Sequence, residues 1–307
     1  MKTSFWDSEP PIFRLSRVGA TSHLGTLELE ADLLRPTGPG LCLTTQSDVS
    51  ELCFWINEYA WCTWLAPLLA TPSLDQVEEG LYPLLASWTL APLSEWLQAQ
   101  GLPSLAPAIL SRAKAPTSVC WCLILSSEGR RLPLCLESIP PMLLHRWLNA
   151  LTPSTERVHD LGLQLGWCQL SEKEFMDIRL GDILPLFGMG EAPDRFWLHP
   201  LGGAQLQLIN RQLGRALPVM PLSAAPPGTV RLMAEVGKIS LDAATLASWA
   251  PDLDCIVTSQ TYPTLRLLQD AELWAEGDLL RMDNGWAVRL TTQPYFDKHY
   301  YNLSSDK

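Results

Sequence analysis

No stretch of this chain is long and apolar enough to cross a bilayer. The most apolar run, Ala60 to Ala70 (AWCTWLAPLLA), has 11 residues and holds Pro67, where a span needs about 20. The first residues, MKTSFWDSEPP, lack the apolar region of a secretory signal, so a cytosolic protein is expected. Basic residues are scarce. There are 22 against 33 acids, a formal charge of −11, and from Pro36 to Ser111 there is no Lys or Arg at all. That balance argues against gripping nucleic acid or an anionic membrane by charge. Among the eight cysteines there is no CxxC, and His and Cys never gather at ligand spacing along the chain. Reduced, buried thiols acting as small hydrophobes are expected, with no metal and no cofactor. There is also no G-x-S-x-G, no P-loop and no H-E-x-x-H, so no catalytic residue is assigned.

What the chain does have is apolar content and tryptophan. Hydrophobic residues make up 47% and charged residues 18%, enough for packed cores and too apolar for a disordered chain. Thirteen Trp point to cores and protein interfaces. The length allows two or three compact units.

The first 150 residues read as one mixed α/β domain. Leu24 to Glu30 alternates like a strand. Trp55, Tyr59, Cys62, Leu65 and Leu69 fall at helical steps. Leu74 to Gln100 reads as a second helical stretch with breaks at Pro83 and Pro92. Residues 101–117 read as a loop with a helical turn. Ser118–Ser126 and Arg131–Glu137 read as strands joined by the turn Ser127-Glu-Gly-Arg130. Pro141 to Leu151 reads as a helix with Pro near its start. Trp55, Trp61 and Trp64 are expected in the core, with a partner surface as the alternative. The window without basic residues is an ordinary solvated surface or a face for a basic partner.

From about residue 158 the chain turns strand-like and repeats itself. Leu161-Gly-Leu-Gln-Leu-Gly166 answers Val230-Arg-Leu-Met-Ala-Glu-Val-Gly237, and the two closing glycines lie 71 residues apart. Each copy goes on to further short strands; a helical run, Ser240 to Trp249, follows the second. Between the copies, Leu217 to Gly228 has four prolines and no charge, which reads as a linker. The organisation is a domain at 1–150, a first module at 154–216, a linker at 217–229 and a second module at 230–307.

The order and spacing of these elements resemble the surface-presentation-of-antigens (SPOA) module. The resemblance is carried by Val236-Gly237, Leu241 to Trp249, Leu273-Trp-Ala-Glu-Gly-Asp-Leu-Leu280 and Trp286-Ala-Val-Arg-Leu290. The first copy supplies the family's Leu-Gly-Asp turn as Leu180-Gly181-Asp182. The second copy departs from it, with Pro251-Asp252 where Leu-Gly is usual. Trp61-Cys-Thr-Trp-Leu65 and Leu81 to Leu93 look like the N-terminal helices of type III secretion cytoplasmic-ring proteins, the SctQ family, in which SPOA modules come in pairs. Flagellar switch proteins carry the module singly.

This resemblance implies an α+β fold with two small strand-rich modules and a non-catalytic scaffold of a secretion sorting platform, cytoplasmic and peripheral to the apparatus. The implied partners are an ATPase-stator protein, an adaptor to the inner-membrane ring, and export substrates with chaperones. The modules would pair with each other, and the chain would self-associate with its own C-terminal short product started at Met220. The apolar run Leu279, Leu280 and Met282 would lie at the partner surface. The rivals are a flagellar switch protein and a hydrolase or phosphatase. For the last, the chain offers only the adjacent pair Asn57-Glu58, the pair His159-Asp160, a helical His145 and a Gly188-Met-Gly190 turn.

Overall fold

The computed structural model of the chain describes residues 10–47 and 50–295. They form two compact units, one of Phe13–Arg157 with Asp242–Ala247, the other of Val158–Leu241 and the chain from Ser248, with Pro10–Ile12. The fold is α+β, with one antiparallel sheet in each unit and more strand than helix.

In the first unit the elements run α1 (Pro11–Arg17), β1 (Ala20–Leu24), β2 (Leu27–Leu34), β3 (Gly40–Gln46), β4 (Glu51–Asn57), α2 (Glu58–Leu65), α3 (Tyr82–Ala99), β5 (Ile109–Ala113), β6 (Cys120–Ser127), β7 (Arg130–Ser138) and α4 (Pro141–Asn149). The sheet order is β1-β2-β6-β7-β4-β3-β5. Central β6 is buried continuously from Cys120 to Leu125, as a strand covered on both faces must be, and this is why its sequence is an unbroken apolar run. Phe54 and Trp55 alternate to opposite faces of β4 and are both buried. Phe54 stacks on Trp147 of α4 at 6.2 Å between centroids. Trp55 lies flat over Gly40, where any Cβ would collide with its indole.

The helical stripe expected from Trp55 to Leu69 divides. Residues up to Asn57 are strand, and α2 begins only at Glu58. A half-buried helix and a strand buried on both faces share the same apolar density over seven residues, so periodicity alone misplaces the boundary. Tyr59, counted in the stripe, is 80% exposed. The expected loop at 101–117 holds the edge strand β5, which pairs with β3. Trp55, Trp61 and Trp64 are all buried, so they belong to the core. Trp61 Nε1 donates to Thr89 Oγ1 at 2.9 Å, tying α2 to α3.

The second unit runs β8 (Val158–Ser171), α5 (Glu172–Asp177), β9 (Ile183–Leu186), β10 (Arg195–His199), β11 (Gln205–Asn210), β12 (Leu213–Leu217), β13 (Thr229–Asp242), β14 (Asp254–Ile256), β15 (Thr258–Gln269), β16 (Glu272–Met282) and β17 (Gly285–Leu290); α6 (Ala243–Ala247), which follows β13 in the chain, groups with the first unit. The 71-residue offset holds through each copy's opening: both long strands, the first helical residue after each, and the short strands β9 and β14 begin at positions related by it. Even the caps match. Ser171 accepts from the Glu174 backbone, and its equivalent Asp242 accepts from Thr245. The helical run read as Ser240 to Trp249 shortens to α6, because residues 240–242 still belong to β13.

All ten strands of this unit form one sheet, ordered β14-β12-β11-β10-β8-β13-β15-β16-β17-β9. The order is symmetric about β8 and β13, with one exchange: β9 of the first copy joins β17 of the second, and β14 of the second joins β12 of the first. The registers agree. Leu184 faces Val288 and Pro185 faces Ala287, while Cys255 faces Gly214 and Ile256 faces Leu213. The turns before β9 and β14 agree as well. Gly181 has φ +90° and Asp252, its equivalent, φ +65°. Gly181 N donates to Leu290 O, and Asp252 N to Ala216 O. Aspartate is among the few residues that tolerate this left-handed region, so Pro251-Asp252 preserves the turn that Leu180-Gly181 makes.

Gly166 and Gly237 are each crossed by a carbonyl, of Phe187 and of Gln260, so closely that a Cβ has no room. Gly166→Ala and Gly237→Ala are each expected to lower stability by about 1–3 kcal/mol, the usual cost of overpacking. Gly190→Ala, whose Cβ would meet nothing nearer than 3.8 Å, should stay within about 0.5 kcal/mol of the parent. Urea denaturation of the three variants checks this.

Candidate functional site

The partner-surface residues Leu279, Leu280 and Met282 lie on β16, and its pairing with β17 and β9 assigns their faces. Directly opposed residues of neighbouring strands share a face. Leu279 lies opposite Val288, which lies opposite Leu184. Val288 and Leu184 are buried, so Leu279 belongs to the inner face. Leu280, half-buried like Leu279, is opposite Ala287, which is buried, and next to exposed Pro185; Met282 is opposite Gly285. This outer face also carries Ile183, 49% exposed, and Met282, 46% exposed. Beside them Arg289 Nη2 donates to Asp278 Oδ2 at 2.8 Å. The outer face is thus a small apolar patch with a hydrogen-bonded ion pair at one end. Leu280 and Met282 stand on it; Leu279 does not.

The neighbouring turn 187–194 is held by tryptophans. Trp197 Nε1 donates to Gly188 O and Trp286 Nε1 to Gly190 O, and Arg281 sits 4.7 Å from the Trp286 ring centroid. Gly188-Met-Gly190 therefore presents its carbonyls to indoles. It follows a strand rather than opening a helix, unlike a phosphate-binding glycine loop.

The residues weighed as catalytic are engaged in structure. Asn57 caps α2, accepting from Ala60 N at 3.2 Å and donating to Thr37 O at 3.1 Å. Glu58 is buried and receives both Nη1 and Nη2 of Arg112, at 3.0 and 3.2 Å, together with Leu74 N at 2.8 Å. The hydrogen bonds from Arg112 hold the Glu58 carboxyl below the usual carboxylate range against an opposing push from burial. Arg112 also pairs with Asp75. Asp160 accepts from Ser240 Oγ at 2.7 Å, and His145 packs on Phe13 at 4.2 Å between ring centroids.

The cysteines depart from the sequence reading in two ways. Cys42 and Cys53, on adjacent strands β3 and β4, pair as a disulfide. Cys135 is brought opposite Cys122 by the β6–β7 hairpin, and with Cys120 the three sulfurs lie within 4.8 Å of one another. Strand pairing makes this cluster, and no spacing along the chain announces it. Three thiols could hold a thiophilic ion, but all three are buried and no carboxylate or imidazole joins them among the described residues. Burial pushes the separate Cys168 thiol up to about 12, an inert setting.

Residues 18–147, less than half of the chain, match the family model of the SepQ protein N-terminal domain. No curated protein matches the chain. No helix among the described residues is long and apolar enough to cross a membrane.

Glu58 generates a pH test. Its lowered carboxyl pKa contributes stability that is present above the unfolded value, about 4.3, and is lost as pH falls through the folded one. Glu58→Gln should melt below the parent at pH 7, and the gap should be narrower at pH 3, where the carboxyl begins to take up its proton. Thermal melts at the two pH values read it directly.

Proposed function

We propose that the chain is a non-catalytic structural component of the cytoplasmic ring, or sorting platform, of a bacterial type III secretion system. It scaffolds the ATPase-stator complex, an adaptor to the inner-membrane ring, and export substrates with their chaperones, at the cytoplasmic face of the apparatus. The observation that carries this reading is the duplicated sheet with exchanged strands, the paired arrangement expected of two SPOA modules. The match of residues 18–147 to the SepQ N-terminal domain supports it from the other half of the chain. A flagellar switch protein, with a single module, fits the duplication less well. A hydrolase fits poorly because Asn57 and Glu58 are committed to a helix cap and an ion pair.

The outer face of β16 and β17 is the docking surface in this reading. Leu280→Asp and Met282→Asp are expected to fold as the parent does by circular dichroism and to lose the stator protein in copurification. Leu279→Asp, placing a charge on the inner face, should instead lower the melting temperature. Stator binding retained in both folded outer-face variants would end the assignment.

The short product is part of the same proposal. Met220 lies between β12 and β13, where no helix or strand intervenes from 218 to 228, and its side chain is 56% exposed. A start there keeps β13 whole, whereas Met233 lies within that strand. The product would keep β14 but lack β12, so two copies would exchange β14 onto each other's β17 as β9 does in the full chain. A C-terminal tag on the native gene should reveal a second, short band by immunoblot that Met220→Ala removes. A lone full-length band, indifferent to that substitution, counts against it.

A further inference from the structure

The window without Lys or Arg, Pro36 to Ser111, contains α2 and α3. One side of α3 is buried through Leu85, Thr89, Leu93 and Trp96. Beside that row, at the same steps of four, four and three, run Leu84, Trp88, Pro92 and Glu95, with Leu81 three residues earlier. Residues at these steps share one stripe of a helix. Leu81 is 40% exposed, Leu84 44% and Trp88 37%. A stripe that meets only water is ordinarily polar; this one is apolar until Glu95.

The stripe borders a groove of about 340 Å³. Buried Leu27, Trp64 and Leu65 line it, together with exposed Pro67, Leu68 and Trp88. Single exposed leucines need no explanation, but an apolar stripe continuous with a groove marks a binding surface. The charges around it are acidic. Glu78 and Glu79 come just before Leu81 and Glu95 comes after Pro92; all three are exposed, and none has a cation partner among the described residues. The cation on the groove, Arg130, is already engaged. It donates to Trp64 O at 2.7 Å and to Glu128 Oε2 at 2.8 Å, and its guanidinium lies over the Trp64 ring.

We infer that this face of α3 docks an amphipathic helical segment of a partner protein, with apolar side chains in the groove against Leu68 and Trp88 and with Lys or Arg at both ends. An apolar strip with unpaired acids at either end selects a guest of opposite sign. From Leu81 to Glu95 the strip is about 21 Å long at 1.5 Å per residue, the length of about four helical turns. Laying the apolar side of a helix into a groove is a recurrent mode of recognition. A second copy of this chain is a poorer occupant, because it brings the same acids against one another under a net charge of −11. The inference rests on the first unit alone and is independent of the secretion reading and of the patch on β16 and β17.

The probe is the peptide acetyl-KKALQALLQALAKK-amide, which sets leucines at i, i+3, i+4 and i+7 between pairs of lysines. One control replaces every lysine with glutamate; the other replaces every leucine with glutamine. Each is titrated into the full chain by calorimetry at low salt. The basic peptide should bind saturably, and less tightly as salt rises. Both controls should bind at least about tenfold more weakly. Trp88→Ala should weaken binding about tenfold or more, the scale of an aromatic anchor, with the circular dichroism spectrum unchanged. Glu95→Lys, a change at an exposed position, should weaken the basic peptide and strengthen its glutamate match, and it carries the test if the Trp88 variant misfolds. No saturable binding of the basic peptide, equal binding of its glutamate match, or full binding by the folded variants would overturn the inference. So would dimerisation of the free chain in sedimentation equilibrium that Trp88→Ala abolishes, since the face would then belong to a second copy.

Discussion

Each half of the ten-stranded sheet is completed by a strand that the other half supplies. A module of this size buries too little apolar surface to be secure alone. Exchanging β9 and β14 makes the two copies parts of one core: Leu184 of the first copy is buried opposite Val288 of the second. The exchange also deals with sheet edges, which otherwise invite further pairing. Phe187, just past β9, trades two backbone bonds with Trp167 of β8, at 2.8 and 2.9 Å. In the other half, the opening of β15 pairs with the far end of β13 through Lys238 and Gln260. Gly166 and Gly237 sit where those closing carbonyls cross, which gives the shared glycine of the repeat its physical reason.

The repeat was the most legible part of the sequence because local chemistry enforces it. Alternation, a closing glycine and a capping side chain each act within a few residues. The exchange was not legible, since both copies would look the same whether each kept its own short strand or gave it away. The same limit explains the cysteines. Cys120 and Cys122 share a strand face by spacing, but Cys135 reaches them only through a hairpin register. The split of Leu279 from Leu280 and Met282 followed from strand alternation; which side was inner needed the buried row Val288 and Leu184 against the exposed Ile183 and Met282. The helix boundary at Glu58 was misread because Phe54, Trp55 and Ile56 are apolar for a strand's reason and also fit a helix's period.

Tryptophan in the first unit serves packing more than display. Trp61, Trp96, Trp121 and Trp147 are fully buried, and two of them place their indole N–H on a hydroxyl, Trp61 on Thr89 and Trp96 on Ser22. A large side chain with one polar atom suits a unit covered on both sheet faces, because one hydrogen bond secures a large buried area.

The window without basic residues is answered from just beyond its end. Arg112, the first cation after Pro36, lies on edge strand β5 and reaches Glu58 and Asp75 together. Burying Glu58 without a partner would be costly, and no cation inside the window could serve. The β3–β5 pairing brings the cation in from outside. This compensation is confined to one corner: Glu51, Glu78, Glu79 and Glu95 remain exposed. Among the described residues, charge in the window is therefore divided by position: its buried carboxylate, Glu58, is neutralised by a bidentate guanidinium, and Glu51, Glu78, Glu79 and Glu95 are left to solvent, where like charges on a surface cost little and keep copies apart.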